Sequence, residues 1–599
     1  MKVNLKNSVN SVEELLKLRG ITDIERFKNP TRDDLISPFK FRDIDKGYDL
    51  LKSVVTKENP QILIIVDSDA DGNTSAAIAY LYIKEHYGIE CDWTLHTKKQ
   101  HGMEDKIEWL MDIEKKYDLI IQPDSGSSDQ KFHDTLWEYC HTPVLVLDHH
   151  IQDAPTADYT VIINNQCSPD YENKALAGAG VTWQFFRYVD FREGTNDADK
   201  YIDLAALGCI SDMMVGTTME NRYIFCEGLA RIKNKFFFEM VRYRAYSLGN
   251  KLTQIGIAFY ITPLINGMIR SGLQEEKEMM FEAFINPDKM IPSGKRGHKG
   301  EMVNICEEVI RLCVNARARQ NRMIEKMEEK VDGRIMEDGL LDNKILLVEL
   351  QPEDDFPSEI NGLLATRLVT KYQRPVMLGR LNSEGYSRGS IRGMNGSELT
   401  SFKDLLEDSG CMEYVQGHDN AAGYSIKESK VPQLLKYANG VLADTNFSDG
   451  YYMVDFNRDC NADDLPDIVK SVCDFSDSWG QGSPEPVFYI KNFQLAKSNF
   501  TIMGKDNNTI KFINNGITFI KFKAADFIKD IANASAPIKM NIIGKANRNE
   551  YCGRITYQIF IEDWEIGVDA ESEYEIDPEI EAMETQEQNM KDWEDKYGF

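Results

Sequence analysis

The sequence predicts an α/β protein: a parallel-sheet unit, a long connecting helix, a second α/β unit and a C-terminal small β-barrel. Three observations carry this. Continuous apolar runs at 61–66 (QILIIV), 117–122 (YDLIIQ) and 143–147 (PVLVL) have the length of strands buried on both faces. From 301 to 331, Met302, Cys306, Val309, Cys313, Ala316, Met323, Met327 and Val331 recur at helical spacing. From 487 to 566, branched and aromatic residues alternate with turns such as 504–508 and Asn514-Asn515-Gly516, the pattern of a small barrel.

The first run opens the stretch 61–79 (QILIIVDSDADGNTSAAIA), where it empties into Asp67, Asp69 and Asp71 before Gly72, Thr74 and a small-residue helix beginning near Ser75. Ligands bind open α/β sheets at the carboxyl ends of strands, and carboxylates on alternate residues there can converge on one hard cation. An acidic strand-to-helix loop, with Gly72 as the turn and Thr74 or Ser75 as the helix cap, is the other reading of the same residues. The second run ends in Pro123, Asp124, Ser125 and Gly126, and the third in Asp148, His149 and His150. A fourth piece, 203–213 (DLAALGCISDM), closes with Asp212. Aspartates with a histidine are the ligand set of Mn²⁺ or Mg²⁺ rather than of thiolate-bound zinc.

In this order, VDSDADG, PDSGSS, LDHH and ALGCISD resemble the four motifs of the DHH phosphoesterase superfamily, and their surroundings resemble its RecJ branch of single-strand-specific exonucleases. Arg19-Gly20-Ile21, Asn29-Pro30 and Pro38-Phe39 resemble the family's lead-in. So do AGAGV at 177–181, Glu220-Asn221-Arg222, and Ile265-Asn266 with Arg270 in later parts of the family pattern. RGSIRG at 388–393 and Gly417-His418 with Ala421-Ala422-Gly423 resemble the DHHA1 domain; WGQGSPEPVF at 479–488 resembles the entry to the RecJ OB domain. Val66, Ile269, Gln416 and Gly393 depart from the family pattern, and they bear on how a 5′ end is held rather than on the reaction class. The resemblance implies a lead-in (1–45), a DHH domain with helical extension (46–298), a connecting helix (299–335), a DHHA1 domain (336–445), an OB-like domain (446–568) and an acidic tail (569–599). It further implies that Asp69, Asp71, Asp124, His149 and Asp212 hold two divalent ions, Mn²⁺ or Mg²⁺, with Asp124 bridging. Asp67 then supports or ligates, Asp148 orients the histidines and His150 contacts the phosphoryl group. Ser390 and Arg392 match positions that hold the 5′ end, and Arg270 and His418, the latter in a loop facing the metals, match further substrate-binding positions.

Along the connecting helix, Arg311, Asn315, Arg319, Arg322 and Lys326 fall on one face, read either as a solvated helix face or as a basic stripe. The runs 344–350 and 374–381, with a helical 358–372 between them, begin the second α/β unit. Within it, 387–393 reads as a small flexible loop whose serines, backbone N–H groups and arginines suit a phosphate; an ordinary glycine-rich turn has the same composition. The span 456–472 reads as an acidic helical connector in which Asp463 or Asp464 caps. In the barrel, Phe493, Phe500, Phe512, Phe519 and Phe522 interleave with Lys491, Lys497, Lys505, Lys511, Lys521 and Lys523, which suits single strands of any sequence. Half of those rings belong to the barrel core, since strands alternate faces.

At 599 residues the chain has room for several domains, and its 42% hydrophobic fraction supports globular cores. No run of about 18 apolar residues occurs, and the start MKVNLKNSVN lacks an apolar signal core, so neither membrane insertion nor secretion is expected. Eleven cysteines without a CxxC predict reduced thiols in a cytoplasm. The net charge of −28 excludes a generally basic nucleic-acid binder and requires local basic stripes instead. Part of it is the segment from Glu571 to Phe599, with eleven acids against Lys591 and Lys596. The whole reads as a 5′-to-3′ exonuclease on single-stranded DNA in recombination, repair or replication. Single-stranded DNA is the expected partner, with a single-strand-binding protein, a helicase or another replication or repair protein beside it. A phosphodiesterase of short oligonucleotides or cyclic dinucleotides, and an inactive scaffold, are the alternatives.

Overall fold

The run ILIIV forms the strand Ile62–Val66, buried along its whole length inside a five-stranded parallel sheet. Its order is Asp92–Leu95, Ile62–Val66, Leu119–Pro123, Val144–Asp148, Thr160–Asn164. The chain leaves the first strand for one edge and then crosses back, so the topological switch point lies between Ile62–Val66 and Leu119–Pro123. Alternate residues face opposite ways: Ile62, Ile64, Val66, Leu145 and Leu147 join the core made with the helices Ala70–Tyr87, Gly178–Glu193 and Ile202–Ser211. Leu63, Ile65, Ile120, Val144 and Val146 pack on Met103, Leu110 and Leu136. Both faces are covered, which is why these strands read as unbroken apolar runs. In this computed structural model, the described residues are 2–567 except 98–100, 153–155, 250, 395–396, 448–450, 505 and 552. Lys505 and the acidic tail therefore lie outside the described residues.

The helix expected near Ser75 begins at Ala70, because Asp69 itself caps it, its Oδ1 accepting the Gly72 N–H at 2.9 Å. The connecting helix runs over Ile305–Glu337 rather than 301–331. Met302–Asn304 is instead a short strand paired with Met290–Pro292, and Asn304 caps the helix through Cys306 N–H. The first half of this helix, including Cys306, Val309, Cys313 and Ala316, is buried in the core of the parallel-sheet unit. Its second half, Ile324, Met327, Val331 and Ile335, is buried against a second sheet.

That sheet is five-stranded and mixed, in the order Met412–His418, Ala421–Lys427, Tyr386–Arg392, Val376–Leu381, Leu346–Glu349. The segment expected as a flexible loop, 387–393, is therefore mainly the strand Tyr386–Arg392 near the centre of a sheet. Its glycine serves close backbone approach, not a turn: a Cβ on Gly389 would lie 2.0 Å from the Leu378 carbonyl oxygen. His418 likewise is not in a loop; it is the exposed last residue of the strand Met412–His418.

The C-terminal region is one seven-stranded sheet: Phe456–Asp459, Val487–Leu495, Ile538–Tyr551, Arg554–Ile566, Ile517–Phe522, Thr509–Asn514, Thr501–Met503. Phe456–Asp459, expected as helix, is its edge strand, and the helix is confined to Leu465–Asp474. Asp464 stands at its N-cap without a side-chain capping bond. Phe493, Phe512 and Phe519 fill the core while Phe522 is exposed. The chain's beginning belongs to this core too: Val12, Leu15, Leu16, Ile21 and Phe27 are buried with Phe456, Ile468 and Trp479. Buried Arg222 ties the units together, donating to Phe27 O at 2.9 Å and Asp477 Oδ2 at 3.0 Å. No helix among the described residues is long and apolar enough to cross a membrane.

Candidate metal centre

The switch point collects the acidic strand ends. Asp67 leaves the first strand fully buried; Asp69 caps the following helix, and Asp71 sits in its first turn. Asp71 accepts the N–H groups of Gly178 and Ala179 at 2.8 and 3.1 Å, so the N-terminus of the helix Gly178–Glu193 points at its carboxylate. Two glycines make this approach possible. A Cβ on Gly178 would lie 2.4 Å from Asp124 Oδ1, and one on Gly208 would lie 2.3 Å from Asp71 Oδ1. Asp124 follows the third strand of the sheet order with φ 64°, a left-handed turn that directs its side chain inward. Asp212 caps the C-terminus of Ile202–Ser211.

His149 joins these groups, its Nε2 lying 3.3 Å from Asp124 Oδ1 and 3.6 Å from Asp212 Oδ2. Ligand-type atoms converge within 4.8 Å in two sets that share His149, Asp71 with His149 and Asp212 and Asp124 with His149 and His150, and in a separate set of Asp67, Asp69 and His101. His101 carries no signal in the sequence, where it stands in a polar stretch without periodicity. Its Nδ1 lies 2.5 Å from Asp67 Oδ2. Asp148 is held by backbone N–H groups of Ser127 and His149 at 3.0 and 2.7 Å, and His150 Nδ1 lies 2.8 Å from it.

Electrostatics follow from this crowding. Burial, then the charge of Asp69, raises Asp71 to about 7. Burial, then Asp71 and Asp69, raises Asp212 to about 8, and burial with Asp71 lifts Asp124 well above the usual carboxylate range. Burial, reinforced by the charge of His150, lowers His149 to about 4, so its ring is neutral and has a lone pair to offer. His150 differs: burial opposes its charge, but the bond to Asp148 and the surrounding carboxylates outweigh burial and raise it to about 9. Like carboxylates pressed together resist ionisation until a cation neutralises them. Among the described residues, Asp124 Oδ1 and Asp67 Oδ1 are buried without a hydrogen-bond partner. An all-oxygen and imidazole donor set with such orphaned oxygens fits hard divalent cations.

Family models match this part of the chain and the C-terminal part: the N-terminal domain of the DHH family at residues 61–209 and the RecJ OB domain at 466–563. YorK from the SPbeta prophage of Bacillus subtilis (strain 168), provisionally named a single-strand DNA-specific exonuclease, is 34% identical over 92% of this chain and 95% of its own length. The chain belongs to the RecJ branch of the DHH family. The RecJ single-stranded-DNA-specific exonuclease of Bacillus subtilis is 24% identical over 92% of this chain and 67% of its own. The RecJ structure from Thermus thermophilus, solved in complex with Mn²⁺, shares the fold at 20% identity with a TM-score of 0.68, covering 93% of this chain and 76% of that one.

In this RecJ-family chain two further predicted residues are linked to the carboxylates through their charges. Burial lowers Arg270 while the charge of Asp69 opposes that, and burial with the charge of Arg270 lowers Arg392. Among the described residues no carboxylate pairs with either guanidinium; Arg392 Nη1 donates only to Ile391 O, at 2.7 Å. Ser390 lies on the same strand face as Arg392, two residues away. Among the described residues, the exposed His418 bonds to none of these groups. Glu220, Asn221 and Arg222 are buried structural ties: Glu220 accepts from Tyr171 Oη at 2.7 Å and Asn221 donates to Val215 O at 2.9 Å.

Proposed function

We propose that this chain is a divalent-metal-dependent exonuclease that degrades single-stranded DNA from its 5′ end. The observation carrying this reading is a buried, mutually repelling cluster of carboxylates and His149, with Arg270 in the field of Asp69, Arg392 in the field of Arg270, and neither guanidinium ion-paired among the described residues. Asp69, Asp71, Asp124, His149 and Asp212 would hold the cations, with Asp67 and His101 flanking them. Such cations supply Lewis acidity and lower the pKa of a water molecule.

The chain's own groups supply the rest. Arg270 and Arg392, with Ser390 on the same strand face, hold a terminal phosphate by forked, charge-assisted hydrogen bonds and so position the neighbouring phosphodiester. His150, kept protonated by Asp148, presents a donor to a phosphoryl oxygen. Hydrolysis adds the water oxygen to phosphorus and breaks the bond to the leaving sugar oxygen, which takes a proton. No covalent nucleophile is needed. The RecJ OB match at 466–563, with the lysines and exposed Phe522 of that sheet, supports contacts along a strand. The ten described cysteines are free thiols, which suits a reducing cytoplasm.

Digestion of 5′- and 3′-labelled strands with Mn²⁺ or Mg²⁺, on a ladder of lengths, tests the reading. Mononucleotides released first from the 5′ label, with kcat/KM rising with length, are expected. A maximum at dinucleotide length would identify a hydrolase of short oligonucleotides instead, and no turnover with either metal would leave a scaffold.

A further inference from the structure

His96 lies outside the ligand set yet stands against it. Val66 pairs in register with Leu95 across the parallel sheet, so the residues that follow them, Asp67 and His96, leave neighbouring strands side by side at the ligand-binding edge. Both side chains are buried, with His96 Nε2 3.8 Å from Asp67 Oδ1, beyond hydrogen-bond reach. Among the described residues neither of these two atoms has a hydrogen-bond partner. The other end of each group is engaged: Asp67 Oδ2 lies 2.5 Å from His101 Nδ1, and His96 Nδ1 lies 2.7 Å from Asp105 Oδ1.

The surroundings decide which of these atoms donate. Lys106 Nζ stands 3.5 Å from Asp105 Oδ2 while donating to Leu95 O at 2.6 Å. Burial opposes the charge of Asp105, but the bond to His96 and the positive charge beside it hold its carboxyl below the ordinary range. An ionised Asp105 only accepts, so His96 donates to it from Nδ1, and the neutral ring presents a lone pair at Nε2. Nε2 and Asp67 Oδ1 are then two buried acceptors facing each other, which is costly until a donor reaches both. A cavity of about 10 Å³ adjoins them, lined also by Asn73 and Lys277. Asn73 uses its amide N–H groups on Asp67 O at 3.3 Å and Asp69 O at 2.8 Å, and Lys277 donates to Thr97 O at 3.3 Å. The cavity has room for about one water molecule, whose two O–H groups match the two acceptors.

We propose that His96 is a positioning residue of the metal centre: one ordered water molecule donates to its Nε2 and to Asp67 Oδ1, and so fixes the plane of the Asp67 carboxylate against His101 and Asp69. This rests on the divalent-metal reading above. Asp67, Asp69 and His101 are a set whose ligand-type atoms converge within 4.8 Å, and rotation of the Asp67 carboxylate would undo that convergence. The support runs from Asp105 through His96 and the water to Asp67, and none of its first three members needs to touch a cation. Groups placed one step behind the ligands orient them and commonly carry about 10- to 100-fold in metal affinity.

Two measurements on the full chain test it. A crystal structure of the parent protein that resolves waters should show one within about 3.2 Å of both His96 Nε2 and Asp67 Oδ1; a cavity without density, or the two atoms in direct hydrogen-bond contact, would overturn the bridge. Mn²⁺ affinity, measured by titration calorimetry without DNA, should weaken about 10- to 100-fold in His96→Leu, which keeps apolar bulk but offers no acceptor, and less than about threefold in His96→Gln, whose amide oxygen can stand at Nε2. The loss in hydrolysis should appear in kcat, with KM for DNA moving less than about twofold. Parent-like Mn²⁺ affinity in His96→Leu would overturn the proposal, and so would equal losses in the two variants, which would mark a role in packing alone. Absence of Mn²⁺ binding by the parent protein would instead sink the divalent-metal reading, whatever the cavity holds.

Discussion

Asp124 sits buried between Asp71 and His149, and replacing it acts on two quantities in opposite directions. Asp124→Asn removes a ligand charge, so hydrolysis should fall by about a thousandfold or more. It also removes a carboxylate that its neighbours repel, so the Tm of the metal-free protein should hold or rise by about 2 to 4 °C. Steady-state rates with thermal melts check both, and a large drop in Tm would contradict the repulsion. Arg392 is a positioning group. Arg392→Ala should raise KM for a 5′-phosphorylated strand about tenfold while changing kcat less, and should narrow the preference over a 5′-hydroxyl strand. Equal discrimination by mutant and parent would place the anchor elsewhere. His101 shows what a residue-level reading misses. Its partner Asp67 ends a legible strand, but His101 comes from a stretch without periodicity, and only folding brings the two within 2.5 Å.

Helices matter here mainly for how closely they approach. Gly178→Ala places a Cβ 2.4 Å from Asp124 Oδ1 at the start of a helix whose N–H groups hold Asp71. It should cost activity by about a hundredfold, with a smaller effect on affinity for DNA, because it displaces ligands rather than the strand. Melts and direct binding beside kcat separate the two. The helix Ala70–Tyr87 is fastened at its far end by His86, which bonds Asp197 at 2.9 Å and Glu193 at 3.1 Å. Burial opposes its charge, yet these bonds raise it above the ordinary 6.5. A histidine raised in the folded state stabilises fully below its unfolded pKa and loses that contribution as pH rises through the folded one. The Tm gap between parent and His86→Gln should therefore be widest below the ordinary 6.5 and shrink as pH rises above it; a gap growing with pH would refute the assignment. The glycines of 388–393 show why an element can be misread: local composition signals a turn, whereas Gly389 faces a neighbouring strand too near for a side chain.

Across the whole molecule, the first residues and the last sheet are one body. Lys2–Asn4 pairs with Tyr451–Met453, and Arg19 reaches Asp455 at 2.9 Å and stacks over Trp479. Deleting residues 2–28 should uncover the core formed with Phe456 and Trp479 and lower the Tm markedly, though no ligand-type residue of the metal centre is touched; an unchanged melt would show this core closes without them. The chain by itself determined the strands, because burial on both faces leaves unbroken apolar runs. It also determined the acids at their carboxyl ends, because sheet edges are where side chains are free to meet a ligand. Which arginines are engaged was not legible: Arg311 and Arg319 share one stripe of the connecting helix, and only packing shows that each is ion-paired, with Glu308 and Glu276. Spacing along a chain reports which face a residue shares, whereas its charge partner is set by elements distant in sequence, and that the tertiary structure alone decides.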